Sequence, residues 1–276
     1  MEYTEGDTIL HLKDVEVGYG KGSDYKAVLK DINITEKDVI RTGRTTGQTI
    51  AIVGRSGRGK STLFKALTGL VKIQLGQILI TDFESEDSTD AKVIQEGDVG
   101  FVDQKYTLFR HKTVEQSFLF ALRKSDLTKE EKSETIETYL REWGLLKQRK
   151  QYPNELSGGQ RQRMALIEQI LSSGHFMVLD EPTSGLDLIN IDDVKKSFAK
   201  IQEDHELNTI IFSTHDINFA VEMAESIYVI GYPEGTTEYA TIVKHYDLKE
   251  MGLAWNEFGI EHLEVVKDIK RVFENS

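Results

Sequence analysis

Apolar positions recur along this chain with two different periods, and the changes of period divide it into three. In the first third, Thr8 to Val17 is rich in β-branched residues and Val28 to Ile34 is a second apolar stretch. Thr49-Ile50-Ala51-Ile52-Val53 is a short apolar run stopped by glycine. Each predicts a strand, the last of them buried. The polar, arginine-containing stretch Lys37 to Gly47 between the second and third runs, with Arg41, Gly43, Arg44 and Gly47, predicts a loop, either a contact loop or, as polar loops more often are, a solvated hairpin. From Thr62 the spacing Leu63, Ala66, Leu67, Leu70 predicts one face of a helix.

After about Arg110 glycine vanishes until Gly144, and charged residues interleave with apolar ones at helical spacing. Thr128 and Glu131 make a capping box ahead of Ile136, Tyr139, Leu140 and Trp143, with Gly144 as the stop. The strand pattern then resumes at Phe176 to Leu179 and Thr209 to Ser213. A helical Ile217 to Ala224 leads into a last apolar run, Ile227 to Ile230. Strands first, then a helical insert, then alternating strand and helix predict an α/β core with a helical lobe. Leu263, Val266, Ile269, Val272 and Phe273 mark an amphipathic terminal helix expected to pack on its own domain.

Composition narrows the classes of function. At 276 residues the chain can bury a core without disulfide or metal staples. A net charge of −12 opposes broad attraction to nucleic acid or anionic lipid, so any bound phosphate must meet a local positive site. With no cysteine there is no disulfide framework, thiolate metal site or cysteine nucleophile. The acidic start Met1 to Asp7 is unlike a signal peptide, and no apolar window is long enough to span a bilayer; the chain by itself is expected to be soluble.

Immediately after the Ile50 to Val53 run comes Gly54-Arg55-Ser56-Gly57-Arg58-Gly59-Lys60-Ser61, which fits GxxxxGK[ST] with a strand before and a helix after. The bare pattern arises by chance in about one chain in a hundred, and its flanks make it a phosphate cradle. Glycines let successive N–H groups face a phosphate, Lys60 bridges phosphates, the Ser61 hydroxyl suits Mg²⁺, and the helix start adds positive potential. A second signal is the apolar strand ending in acid, Phe176 to Asp180-Glu181: Asp180 for Mg²⁺, directly or through water, and Glu181 to polarise an attacking water.

Leu156-Ser157-Gly158-Gly159-Gln160, lying between these two motifs, resembles the LSGGQ signature of the ATP-binding cassette (ABC) ATPases. The resemblance covers roughly residues 8 to 232. It implies a P-loop NTPase core with an antiparallel β subdomain and an inserted α-helical subdomain, residues 105–165, within an ATPase domain over 1–232. Residues 233–276 would form a C-terminal extension. It also implies site residues: Tyr19 against adenine; Gly54, Arg55, Ser56, Gly57, Arg58, Gly59, Lys60, Ser61 and Thr62 around the phosphates; Ser61, Gln104 and Asp180 for Mg²⁺. Glu181 would activate water, with Gln104 the Q-loop glutamine and His215 the switch histidine. Two departures from the family pattern stand out. Glu168 occupies a position usually held by arginine, and Arg110 stands where proline is common.

The family resemblance further implies a dimer in which Ser157, Gly158, Gly159 and Gln160 of one chain meet the nucleotide held by Lys60 of the other, with Asp187 linking the two sites. The expected cofactors are ATP and Mg²⁺, and the expected partners a second ATPase subunit and separate transmembrane permease subunits, with no direct nucleic acid. Leu108-Phe109 would suit a docking groove for the permease, or pack the helical lobe. The likeness is closest to importer ATPases of the amino-acid or nitrate/sulfonate/taurine type, placing the chain at the cytoplasmic face of the cell membrane. Two alternatives stay open: a non-transport ABC ATPase of iron–sulfur assembly or DNA-associated type, and a nucleotide-binding scaffold that does not hydrolyse.

Overall fold

Two long strands of 17 and 16 residues and eight short ones of three to seven, rich in β-branched and aliphatic residues, pair among the described residues into two sheets. The computed structural model describes residues 2–43, 46–82, 85, 90–184 and 188–276, without the side chains of residues 188–190. In chain order its elements are β1 (Tyr3–Tyr19), β2 (Lys26–Arg41), β3 (Gln48–Val53), α1 (Lys60–Leu67), β4 (Leu75–Thr81), β5 (Ala91–Val93), β6 (Val99–Val102), α2 (Val114–Ala121), α3 (Lys129–Glu142) and α4 (Gly158–Ser172). There follow β7 (Phe176–Leu179), α5 (Leu188–Asp204), β8 (Thr209–Thr214), α6 (Ile217–Met223), β9 (Ser226–Gly231), β10 (Thr241–Asp247) and α7 (Ile260–Asn275).

An antiparallel sheet has the order β2-β1-β4-β5, and a second sheet has the order β10-β9-β3-β8-β7-β6. In the second, β3, β6, β7, β8 and β9 run parallel and β10 closes one edge antiparallel to β9. Both faces of this sheet are covered, which is why its strands read as unbroken apolar runs. Successive side chains point to opposite faces. Ala51, Val53, Met177, Leu179 and Phe212 join the core under α4 to α7, whereas Ile50, Ile52, Phe176, Val178 and Ile211 join the core shared with α1 and the antiparallel sheet.

The helical lobe follows its capping signals. Thr128 Oγ1 accepts from Glu131 N and the Glu131 carboxylate accepts from Thr128 N at 2.7 Å, starting α3 where the box predicts. Gly144 sits at φ 65°, just beyond the end of the helix. Thr113 and Gln116 make the same reciprocal box at α2. Ile136, Leu140 and Trp143 are buried, as their spacing predicts.

Two expectations are corrected. Lys37 to Gly47 is not a loop throughout: β2 continues through Arg41, paired with β1 as far as Tyr3, so both strands are longer than the apolar stretches that announced them. The buried face of this extension carries Glu36 and Arg41, so it lacks the apolar alternation that would reveal it. Their counterparts lie far along the chain. The Arg41 guanidinium is 4.9 Å from the Trp255 ring, and Lys249 exerts the chief attraction on Glu36. Gly43 turns at φ 76°, Gly47 N donates to Gln202 O, and Arg44 lies outside the described residues. Leu70 is likewise not on the buried face of α1, because the helix ends at Leu67 and Gly69 turns at φ 71°; Phe64 is buried there instead.

The terminal helix α7 buries Val265, Val266 and Ile269 against the core, while Leu263 faces outward. Between β10 and α7, Trp255 packs edge-on against Tyr3 at 5.6 Å and donates from Nε1 to Glu225 at 2.7 Å. Glu225 also accepts from Thr49 N at 2.6 Å, so the C-terminal segment is bonded to the first residue pairs of the core strand β3.

Candidate nucleotide site

The sheet places the predicted chemistry at one edge. Strands β3, β7 and β8 run parallel, and the P-loop, Asp180-Glu181 and His215 each follow directly after one of them. In open parallel sheets ligands gather at this carboxyl end. The P-loop needs glycine at two points: Gly57 has φ 81° and Gly59, at the N-cap of α1, has φ 90°. No side chain caps α1, so its first N–H groups stay available to an anion.

Lys60 is buried to 8% exposure, and its Nζ donates to Gly54 O at 2.8 Å, folding the side chain back over its own loop. It also lies 3.4 Å from Glu181 Oε1, while Glu181 Oε2 accepts from His215 Nδ1 at 2.6 Å. Glu181 adopts φ 52°, a left-handed turn that holds its carboxylate between the two basic groups. Ser213 fixes the acidic pair, donating to Asp180 Oδ1 at 2.6 Å and accepting from Glu181 N at 3.0 Å. Asp180 N is tied to Val102 O.

Around this centre, Gln104 donates from Nε2 to Ser184 Oγ at 2.8 Å, leaving its amide oxygen as the acceptor end. The hydroxyl of the exposed Ser61, the Asp180 carboxylate and the Gln104 amide oxygen are hard oxygen donors of the kind Mg²⁺ takes. Tyr19 is half exposed, with its hydroxyl 3.3 Å from Thr62 Oγ1, so an aromatic face stands beside the start of α1. Arg55 is exposed. The Arg58 side chain turns away from the loop and stacks 3.8 Å over the Tyr232 ring, which leaves only its backbone for phosphate.

The signature residues form a separate helix start. Ser157 Oγ accepts from Gln160 N, and Gln160 Oε1 accepts from Ser157 N, capping α4. Among the described residues, neither bonds to Lys60, Asp180 or Glu181. No neighbouring atom lies within 4 Å of where a Cβ would sit on Gly158 or Gly159. Asp187 lies outside the described residues. Sequence reasoning missed Ser213, although its place directly before Thr214-His215 on a strand adjacent to β7 was a usable signal. It also missed the Pro182 carbonyl, which accepts from Tyr106 OH and Gln162 Nε2.

A phosphate loop at the carboxyl edge of a parallel sheet, followed by an acidic strand end and a histidine, defines a P-loop nucleotide-binding protein. The ABC transporter family model matches residues 40–184, and the chain belongs to that family. It is 35% identical over 202 residues to the arginine transport ATP-binding protein ArtM of Bacillus subtilis, covering 72% of this chain and 80% of that one. It is 34% identical over 204 residues to the sulfate/thiosulfate import ATP-binding protein CysA of Synechococcus elongatus, covering 74% of this chain and 56% of that one. The chain thus spans little more than half the length of this second relative. Among solved structures it resembles cbiO1 from Clostridium perfringens, part of the transporter complex cbiONQ, with TM-score 0.68 and 27% identity over 90% of this chain and 92% of that one. No described helix is long and apolar enough to cross a membrane.

Proposed function

We propose that this chain is the ATP-hydrolysing subunit of an import-type membrane transporter, working as a pair of chains beneath separate membrane-spanning subunits. The observation that carries the reading is the Glu181 carboxylate held between Lys60 Nζ at 3.4 Å and His215 Nδ1 at 2.6 Å, at the mouth of the phosphate loop. Glu181 orients a water for attack on the terminal phosphate and accepts its proton; His215, bonded to Glu181, holds that carboxylate and meets the same phosphate. Lys60 and the N–H groups at the start of α1 counter the triphosphate charge, and Tyr19 stacks on the base. Mg²⁺, when bound, is held by Ser61, Gln104 and Asp180 and stabilises charge on the phosphates.

Each chain holds one phosphate loop and one capped signature start, and among the described residues Ser157 bonds only within its own helix start. A second copy presenting Ser157, Gly158, Gly159 and Gln160 to the nucleotide completes the site. Nucleotide therefore joins the two chains, and loss of its terminal phosphate separates them, which converts hydrolysis into motion. The names of the relatives support a small-solute importer. Phosphate release from ATP with and without Mg²⁺ tests the reading. Mg²⁺-dependent turnover supports it, and saturable ATP binding without turnover under Mg²⁺ assigns the chain to scaffolding instead.

A further inference from the structure

The last turn of α7 ends against the phosphate loop. β9 is the parallel neighbour of β3, and Val53, where β3 gives way to the loop, pairs with Val229. A Cβ on Gly54 would come within 2.6 Å of Ile230 O, so the first residue of the loop lies directly on β9. A Cβ on the next residue of that strand, Gly231, would come within 2.5 Å of Ser276 Cβ, which seats the C-cap of α7 on the same strand end. Ser276 is itself held to the helix, donating from Oγ to Val272 O at 2.8 Å. Arg58 joins the two sides: its guanidinium lies 3.8 Å over the Tyr232 ring and donates from Nη2 to the main-chain oxygen of Ser276 at 3.3 Å. Its Nε is buried without a hydrogen-bond partner, so the ring and the helix end are what hold the head in place.

Arg58 stands between Gly57 at φ 81° and Gly59 at φ 90°. Glycine on both sides leaves a loop many conformations to lose when its N–H groups close on a phosphate. A side chain clamped at its far end removes part of that loss beforehand, which strengthens binding. The clamp suits the charge it holds, because the last carbonyls of a helix are partly negative and an aromatic face attracts a cation. We infer that Arg58 is a positioning residue for nucleotide: anchored by Tyr232 and the end of α7, it holds the loop backbone in its phosphate-binding form and makes ATP affinity depend on the docking of α7. This rests on the nucleotide reading above. Such a coupling is reciprocal, so bound nucleotide tightens the last turn of α7 by the same factor.

Tyr232 lies outside the loop, so Tyr232→Leu removes the anchor and leaves every residue of the loop in place. Titration of this variant with Mg²⁺ and the non-hydrolysable analogue AMP-PNP should give a Kd about fivefold weaker than wild type, while Tyr232→Phe, which keeps the ring, should stay within about twofold. The kcat at saturating ATP should stay within about twofold for both. Hydrogen exchange of the amides at 272–276 should slow about fivefold on saturation with the analogue in wild type and not respond to it in Tyr232→Leu. Arg58→Met, which keeps the stem and removes the cation, takes the same two readouts should Tyr232→Leu fail to fold, and the two changes together should lose no more affinity than either alone. An arginine that instead served the phosphates directly would be freed by Tyr232→Leu. An affinity unchanged or raised in that variant, or exchange in wild type indifferent to the analogue, overturns the inference and leaves the nucleotide reading standing. Failure of wild type to bind the analogue overturns both.

Discussion

Glu181 and His215, thirty-four positions apart, are joined by a 2.6 Å hydrogen bond from His215 Nδ1 to Glu181 Oε2. The bond exists because β7 and β8 are parallel neighbours, which brings the residues following each strand side by side. Glu181→Gln removes the proton acceptor but keeps shape and hydrogen-bonding capacity. The ATP turnover rate should fall about 10²–10⁴-fold, with nucleotide affinity within about threefold of wild type. Steady-state phosphate release and titration with a fluorescent ATP analogue check it, and near-wild-type turnover would remove Glu181 from its role.

Ser213 should matter through Asp180 and Glu181 and not through nucleotide itself. Ser213→Ala strips the donor to Asp180 Oδ1 and the acceptor of Glu181 N, in a side chain that is fully buried. The expected result is a loss of about 1–3 kcal/mol in urea unfolding and a fall in kcat larger than any change in KM. Ser213→Thr, which restores the hydroxyl, should recover part of both.

Much of this site was legible in the chain because its residues occur in contiguous motifs. Gly54 to Ser61 is a local structure dictated by glycine at positive φ, and the apolar runs of β3 and β7 name the strands that present it. The continuation of β2 through Arg41 was not legible, because Glu36 and Arg41 replace apolar residues on its buried face. Their compensating groups, Lys249 and Trp255, come from the other end of the chain. Ser213 was passed over for a related reason: its hydroxyl acts on residues of the adjacent strand, a proximity that only sheet order reveals. Leu70 illustrates the reverse, an apolar residue at helical spacing left outside because Gly69 ends the turn.

The C-terminal segment gives a stability prediction. Lys249 is buried; burial alone would lower its ammonium, but Glu36, Asp247 and Glu225 around it outweigh that and hold it raised. Lys249→Met takes the chief cation from Glu36 and leaves Glu225 with Arg41 alone, so unfolding should cost about 3–5 kcal/mol less than in wild type. Chemical denaturation at pH 7.5 measures the difference. A loss below about 1 kcal/mol would show that the cluster does not depend on Lys249.

Glu168 predicts a pH dependence of the isolated chain. Burial pushes its carboxyl up from 4.5 to about 7. The folded state therefore binds more protons than the unfolded state between those values, and stability falls as pH rises through that window, levelling above about pH 7. Glu225, raised to about 7 chiefly by burial, adds to the same slope, so the variant is compared with wild type pH by pH. Glu168→Gln should be more stable than wild type by about 1–3 kcal/mol at pH 8, with the gap narrowing toward pH 5. A gap that widens on acidification would contradict the assignment.

The central claim is that nucleotide is gripped between the Lys60 loop of one chain and the Ser157 turn of another. The most direct measurement is the molar mass of the Glu181→Gln chain by light scattering on a sizing column, with and without saturating Mg²⁺-ATP. The account predicts twice the 31.4 kDa chain mass with ATP and a single chain without it, and reversion to single chains when Ser157→Arg is added. A single-chain mass with ATP demonstrably bound, or a dimer indifferent to both nucleotide and Ser157→Arg, would contradict it.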